Sequence, residues 1–201
     1  MIAQNIKEHL SKDGILKKIM NQVALHPPKP NTDLYLNLLR AIAGQQLSVK
    51  AAGTIWERTL NLFPERYPKT EMVLQIDVEA FRGAGLSYQK AGYLKNIALF
   101  SLDNSLDYKI LNKMSDAELI HYLTQIKGVG SWTAEMILIF SLVREDIFPV
   151  ADLGIQNAIR KHYKLESSGK QLKAEMTEIS KQWQPYRTFA SMYLWRSLIN
   201  E

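Results

Sequence analysis

The chain has 201 residues, 46% of them hydrophobic, with no cysteine, 10 glycines and 7 prolines. This is enough for one domain, or two small lobes on a shared core, and it argues against disorder, fibrous repeats, disulfide frameworks, Cys-ligated zinc, iron–sulfur clusters and cysteine nucleophiles. A formal charge of +5 with a pI of about 9.3 leans weakly toward a polyanionic partner such as nucleic acid.

Met1 to His9 alternates polar and apolar residues where a signal peptide needs an unbroken apolar stretch. The best apolar run, Met136 to Val143, is too short to span a bilayer. The expectation is a soluble, cytoplasmic protein with no membrane partner.

Apolar residues recur at helical spacing nearly throughout, which predicts an all-α fold. Ile2, Ile6 and Leu10, then Ile15, Leu16, Ile19 and Val23, mark an opening helix with a break near Gly14, stopped by His26-Pro-Pro-Lys-Pro30. A second helix follows from Leu34 through Leu38, Leu39 and Ile42, and a third from Val49 to Leu62, with Ser48 its N-cap candidate. Between them lies the polar interruption Gly44-Gln-Gln-Leu-Ser48. Val73 to Phe81 and Gln89 to Leu99 predict two more helices, joined across Gly83-Ala-Gly85-Leu-Ser. Ser115-Asp-Ala-Glu118 has capping-box spacing and predicts a helix to Ile126. Lys127-Gly-Val-Gly130 is a tight turn, and a strongly apolar helix runs from Ser131 to Val143. Asp146 to Asp152 reads as extended because Pro149 biases Phe148 away from helical angles. Helices from Asp152 to about Tyr163, Lys170 to Gln182 and Arg187 to Asn200 close the chain.

Gly128-Val-Gly130 begins like a dinucleotide fingerprint, but Thr133 occupies the third glycine position and no strand precedes it. No Walker A sequence, G-x-S-x-G elbow or H-E-x-x-H is present, and the four histidines are scattered. What remains is a hairpin between two helices. Its second helix turns unpaired N–H groups outward beside glycines that let a DNA phosphate approach, and carbonyls on the other side of the turn can hold a monovalent cation. Two glycines alone fit an ordinary helix–helix connection equally well.

The stretch Leu123-Thr-Gln-Ile-Lys-Gly128-Val-Gly-Ser-Trp-Thr-Ala134, followed by Phe148-Pro-Val-Ala-Asp152, resembles the helix-hairpin-helix DNA glycosylase superfamily. The branch most like it is the bacterial DNA-3-methyladenine glycosylase II type, which excises alkylated bases. Ala43-Gly-Gln-Gln-Leu-Ser-Val-Lys-Ala-Ala52, Gly85-Leu-Ser-Tyr-Gln-Lys-Ala91 and Trp183-Gln-Pro-Tyr-Arg187 through Trp195 match in the family's order, so the resemblance spans roughly residues 30 to 200. It implies a single catalytic module, 1–201, in two lobes: one of about 31–143 containing the hairpin at 115–143, the other of about 1–30 plus 144–201. Too few residues precede Leu34 for the N-terminal β-rich domain of the bacterial type member.

The resemblance makes Asp152 the catalytic carboxylate. Breaking an N-glycosidic bond builds positive charge on the sugar, which a fixed carboxylate stabilises while orienting water. Taken alone, an Asp before an apolar helix is just as well a cap. Trp132 stands where bifunctional relatives carry a Schiff-base lysine, implying a monofunctional enzyme. Trp132, Trp195 and Met136 take base-pocket positions, where aromatic faces attract cationic alkylated bases. Phe189, Met192, Trp195 and Ile199 also make a helical stripe, so core packing is the other reading of Trp195.

A flipped base leaves a hole that an inserted side chain fills. Alignment through Gly44 puts Gln46 where the bacterial enzyme has an aliphatic plug, leaving Gln46 and the neighbouring Leu47 as alternatives. Lys127, Gly128, Gly130 and Ser131 would grip phosphate, with Lys50, Lys90, Arg160 and Lys161 as further cations. Backbone carbonyls of Thr124, Ile126 and Val129 would hold a structural Na+ or K+, and no other cofactor is expected. The implied partner is double-stranded DNA containing damaged bases, met by a monomer near the nucleoid. The implied reaction is hydrolysis of the N-glycosidic bond of 3-methyladenine and related purines. The alternatives are a non-catalytic hairpin DNA-binding module, or a glycosylase for another damaged base.

Overall fold

The computed structural model describes residues 2–198. Among them the chain is helical as expected, with no β-strand and one isolated antiparallel bridge between Asp33 and Asp107. It divides into two units, one of Pro30–Leu142 and one of Met1–Lys29 with Val143–Glu201.

The contiguous unit holds α3 (Leu34–Gly44), α4 (Val49–Leu60), α5 (Thr70–Gln75), α6 (Val78–Ala84), α7 (Tyr88–Asp103), α8 (Tyr108–Leu111), α9 (Asp116–Thr124) and α10 (Ser131–Phe140). Most starts are set by one polar side chain. Asp33 accepts from Leu36 N, Ser48 from Ala51 N and Ser87 from Lys90 N. Ser115 and Glu118 form the capping box that their spacing predicts. The buried faces of α3 (Leu34, Leu38, Leu39, Ile42) and α7 (Ala91, Leu94, Ile97, Ala98) belong to packed neighbours, and each buried Leu or Ile contributes about 1.5–3 kcal/mol.

Two expectations are corrected here, and one short helix is new. Val73 to Phe81 is not one helix: Ile76 is extended and Asp77 caps a new helix by accepting from Glu79 N. An Asp that bonds the local backbone competes with helix continuation. The short α8, capped by Asp107, has too few residues for a periodic signal. And α10 ends at Phe140 rather than Val143, which adopts φ +54°.

The other unit holds α1 (Gln4–Leu10), α2 (Gly14–Gln22), α11 (Leu153–Tyr163), α12 (Gly169–Ser180) and α13 (Arg187–Ser197). The last helix was expected to reach Asn200; Ile199 and Asn200 lie outside the described residues. The break between α1 and α2 falls where the sequence places it, at Asp13, which is 7% exposed. One oxygen of its carboxylate accepts from Ile15 N and Leu16 N. The other accepts from the Tyr163 hydroxyl at 2.5 Å and Trp183 Nε1 at 2.9 Å.

The segment before α11 is fastened to the start of α13. Arg187 meets Asp146 bidentately, Nε to Oδ1 at 2.7 Å and Nη2 to Oδ2 at 2.9 Å. The Thr188 hydroxyl donates to Arg144 O and accepts from Ile147 N. Beyond this anchor the chain turns instead of staying extended, with Asp152 N donating to Pro149 O at 2.9 Å, and delivers Asp152 to the N-cap of α11.

Candidate active site and nucleic-acid interface

The hairpin between α9 and α10 is a sharp turn made by Gly128, at φ +107°. A Cβ on Gly128 would lie 2.2 Å from Tyr93 Cγ, so the Tyr93 ring fills the space below the turn and only glycine fits. Val129 N donates to Ile126 O at 2.9 Å, and Val129 and Ile126 are buried, so the turn is plugged into its own unit by two apolar side chains. Lys127, Gly130 and Ser131 are exposed, and a Cβ on Gly130 would meet nothing within 4 Å. Gly130 is the N-cap of α10, with no capping side chain. The first-turn N–H groups therefore present partial positive charge at an open surface.

The loop between α3 and α4 carries Gln46 at φ +58° and Leu47, both exposed. Its predecessor Gln45 points the other way: Nε2 donates to Thr133 Oγ1 at 2.9 Å and, more weakly, to Gly128 O at 3.4 Å. Thr133, the residue that spoiled the dinucleotide fingerprint, is the buried acceptor for this contact. Lys90 Nζ donates to Ala43 O at 3.0 Å and Gln45 O at 2.6 Å, where burial pushes its ammonium below the usual lysine range. Lys90 thus spends its charge on carbonyls at the C-terminal end of α3, a correction to its expected phosphate contact. Lys50, Arg160 and Lys161 are exposed.

Asp152 stands at the N-cap of α11. Its Oδ1 accepts from Ile155 N at 2.9 Å and from Trp195 Nε1 at 2.8 Å. Cap and aromatic partner converge on one oxygen, which fixes the plane of the carboxylate. Trp195 is half-buried, unlike its fully buried helix neighbours Met192 and Leu194. Gly154 completes the arrangement: a Cβ there would sit 3.0 Å from Asp152 Oδ1 and 3.0 Å from Trp195 Cδ1. The sequence reading missed Gly154, whose only signal is a glycine two residues after the aspartate.

Trp132 and Met136 share a cavity of about 390 Å³ in the contiguous unit, with Arg40, Ala41 and Phe140 among its other walls. Its size is in the range of small-ligand pockets. Trp195 belongs to the other unit, against Asp152. The proposed cation donors, Thr124, Ile126 and Val129, follow one another at the end of α9 and through the turn. Among the described residues no cluster of three or more His, Cys, Asp or Glu gathers to hold a metal. No described helix is long and apolar enough to cross a membrane.

Residues 39–185 match the HhH-GPD superfamily base excision DNA repair protein family. The chain belongs to this family. The matched span contains the Gln45–Gln46 loop, the hairpin and Asp152, and stops short of Trp195. Among its relatives, DNA-3-methyladenine glycosylase 1 of Schizosaccharomyces pombe is 36% identical across 94% of this chain and 85% of its own. A solved 3-methyladenine DNA glycosylase of the same yeast, in complex with abasic DNA, superposes with TM-score 0.88 at 35% identity, covering 96% of both chains. A DNA-3-methyladenine glycosidase from Bacillus halodurans does so with TM-score 0.79 at 34% identity, over 97% of this chain and 89% of that one.

Proposed function

We propose that the protein is a monofunctional DNA glycosylase that hydrolyses the N-glycosidic bond of alkylated purines, 3-methyladenine foremost, in duplex DNA, the first step of base excision repair. The observation that carries this reading is the Asp152 carboxylate, oriented by Ile155 N and Trp195 Nε1 at the start of α11. The relatives from Schizosaccharomyces pombe and Bacillus halodurans, named as a 3-methyladenine glycosylase and a 3-methyladenine glycosidase, support the substrate class.

In this reading the N–H groups after Gly130, with Lys127 and Ser131, take a backbone phosphate. The damaged nucleotide leaves the stack, at a cost of a few kcal/mol, and a loop side chain, Gln46 or Leu47, fills the gap. Trp132 and Met136 offer a polarisable wall for the base. A cationic base is attracted to an indole face and is already a better leaving group than its neutral parent. As the C1′–N bond breaks, its electrons go to the base and positive charge grows on the sugar. Asp152 stabilises that charge and orients a water whose oxygen bonds to C1′ while its proton is released. Trp132 in the lysine position supports hydrolysis by water over a covalent enzyme intermediate.

In this reading the turn would also hold a Na+ or K+ ion through the main-chain carbonyl oxygens of Thr124, Ile126 and Val129, groups of the kind that replace such an ion's hydration shell. When bound, the ion would add positive charge beside the phosphate. Ile126 O already accepts from Val129 N and keeps a second lone pair for it.

The test is release of free base from methylated duplex DNA by the wild type and Asp152→Asn. The wild type should free methylpurines and leave strands intact until alkali is added, and the variant should be slower by about 100-fold or more. Nicking without alkali would end the monofunctional assignment. DNA binding without any base release would make the protein a binding module.

A further inference from the structure

We infer that Gln45 and Lys90 fasten the Gln46–Leu47 loop to the hairpin, so that phosphate capture and filling of the duplex are performed by one rigid piece. This deepens the proposed function and rests on it for the role of the loop. Helix α7 is the strut. Lys90, Tyr93 and Asn96 recur at three-residue spacing and so share a face of that helix. Each holds a different part: Lys90 Nζ the carbonyls of Ala43 and Gln45, the Tyr93 ring the underside of Gly128, and Asn96 Nδ2 the Lys127 carbonyl at 3.1 Å. Gln45 closes the loop of contacts directly, from the peptide before Gln46 to Thr133 in the first turn of α10.

The backbone of Gln46 calls for such a fastening. Gln46 sits at φ +58°, a conformation that a residue with a Cβ keeps only when its surroundings over-determine it. Its preceding carbonyl, Gln45 O, is the one that Lys90 holds at 2.6 Å, and its preceding side chain is the one bonded to Thr133. Lys90 is also a cation at the C-terminal end of α3, where the helix dipole favours it, so its charge is committed inward. Gln45 and Lys90 are positioning residues, since neither is asked to touch the reacting atoms.

The experiment uses a duplex with a tetrahydrofuran abasic analogue and 2-aminopurine in the facing strand, whose fluorescence rises when a protein side chain unstacks it. Binding to undamaged duplex is followed by anisotropy, and base release from methylated duplex by single-turnover kinetics. Gln45→Glu keeps the size of the side chain and removes the donor; Lys90→Met removes the charge and Lys90→Arg keeps donors. Gln45→Glu and Lys90→Met should each lower the 2-aminopurine rise and the single-turnover rate about tenfold, the loss of one good hydrogen bond, with affinity for undamaged DNA within about threefold. Lys90→Arg should recover most of both signals. Wild-type signals in Gln45→Glu and Lys90→Met overturn the inference, as does Lys90→Arg no better than Lys90→Met. If the wild type releases no base yet its 2-aminopurine rise is lost in these variants, the fastening stands and the glycosylase reading falls.

Discussion

Gly154→Ala sets helix propensity against the Asp152–Trp195 hydrogen bond. Gly154 is the second residue of α11 and does not have positive φ, so alanine is acceptable to the backbone. Replacing a helical glycine by alanine stabilises by about 0.5–1 kcal/mol. The new methyl, however, would lie 3.0 Å from Asp152 Oδ1, 3.0 Å from Trp195 Cδ1 and 3.1 Å from Trp195 Nε1. Carbon contacts are comfortable at roughly 3.5–4.0 Å, so the indole or the carboxylate must give by a few tenths of an ångström. That strains the 2.8 Å bond from Trp195 Nε1 to the carboxylate toward the long end of the normal range. A hydrogen bond to a charged group contributes about 1.5–3 kcal/mol, and the rate should fall about 10- to 100-fold if most of that bond is lost. Single-turnover base release and urea unfolding measured on the same preparations test it. The expected signature is a slower enzyme that stays folded in the assay, with the helical gain offsetting part of the lost bond so that unfolding free energy falls by no more than about 2 kcal/mol. Excision at the wild-type rate, or a loss explained by reduced stability, would refute the role given to the Asp152–Trp195 pair.

Other outcomes follow from the same geometry. Gly128→Ala places a Cβ on the Tyr93 ring at a left-handed backbone and should cost about 2–4 kcal/mol in urea unfolding, together with weaker DNA binding in anisotropy. Asp13→Ala strands the Trp183 indole N–H and the Tyr163 hydroxyl and uncaps α2, a loss of about 3 kcal/mol or more by denaturant melts, whereas an exposed control such as Lys17→Ala should stay within about 0.5 kcal/mol. Burial raises the Tyr35 and Tyr67 hydroxyls to about 12 from 10.0. Above pH 10 the unfolded chain therefore loses protons that the folded one keeps, and unfolding free energy should fall between pH 10 and about 12, less steeply in Tyr67→Phe. DNA affinity should drop steeply with added salt, as phosphate contacts require.

Local chemistry made much of the fold legible. Ser48, Ser115 and Asp152 begin helices because their oxygens bond N–H groups two or three residues on, a rule contained within one turn. The same rule applied to Asp77 splits what periodicity joins, since hydrophobic spacing continues across the break from Val73 to Phe81. The candidate site was readable where a motif carries it: the hairpin glycines and the aspartate. It was not readable where a contact spans the sequence. Lys90 reaches a carbonyl 45 residues back, Gln45 a hydroxyl 88 residues on, and Trp195 a carboxylate 43 residues before it. Nothing near a lysine in the primary structure says whether its ammonium will meet solvent, phosphate or a helix end.

The hydrogen bonds of Asp13 join residues 150 and 170 positions apart in the chain. Their unit draws on two separated segments, Met1–Lys29 and Val143–Glu201, whereas Pro30–Leu142 is contiguous. Contacts between distant residues form slowly, and a nascent chain folds what has already emerged. On the ribosome, the hairpin that would hold phosphate can therefore mature while the segment bearing Asp152 and Trp195 is still being made. In the proposed function, the phosphate-holding surface thus precedes the carboxylate that assists bond cleavage. Chains interrupted after Leu142 retain the sequence for the first and none for the second.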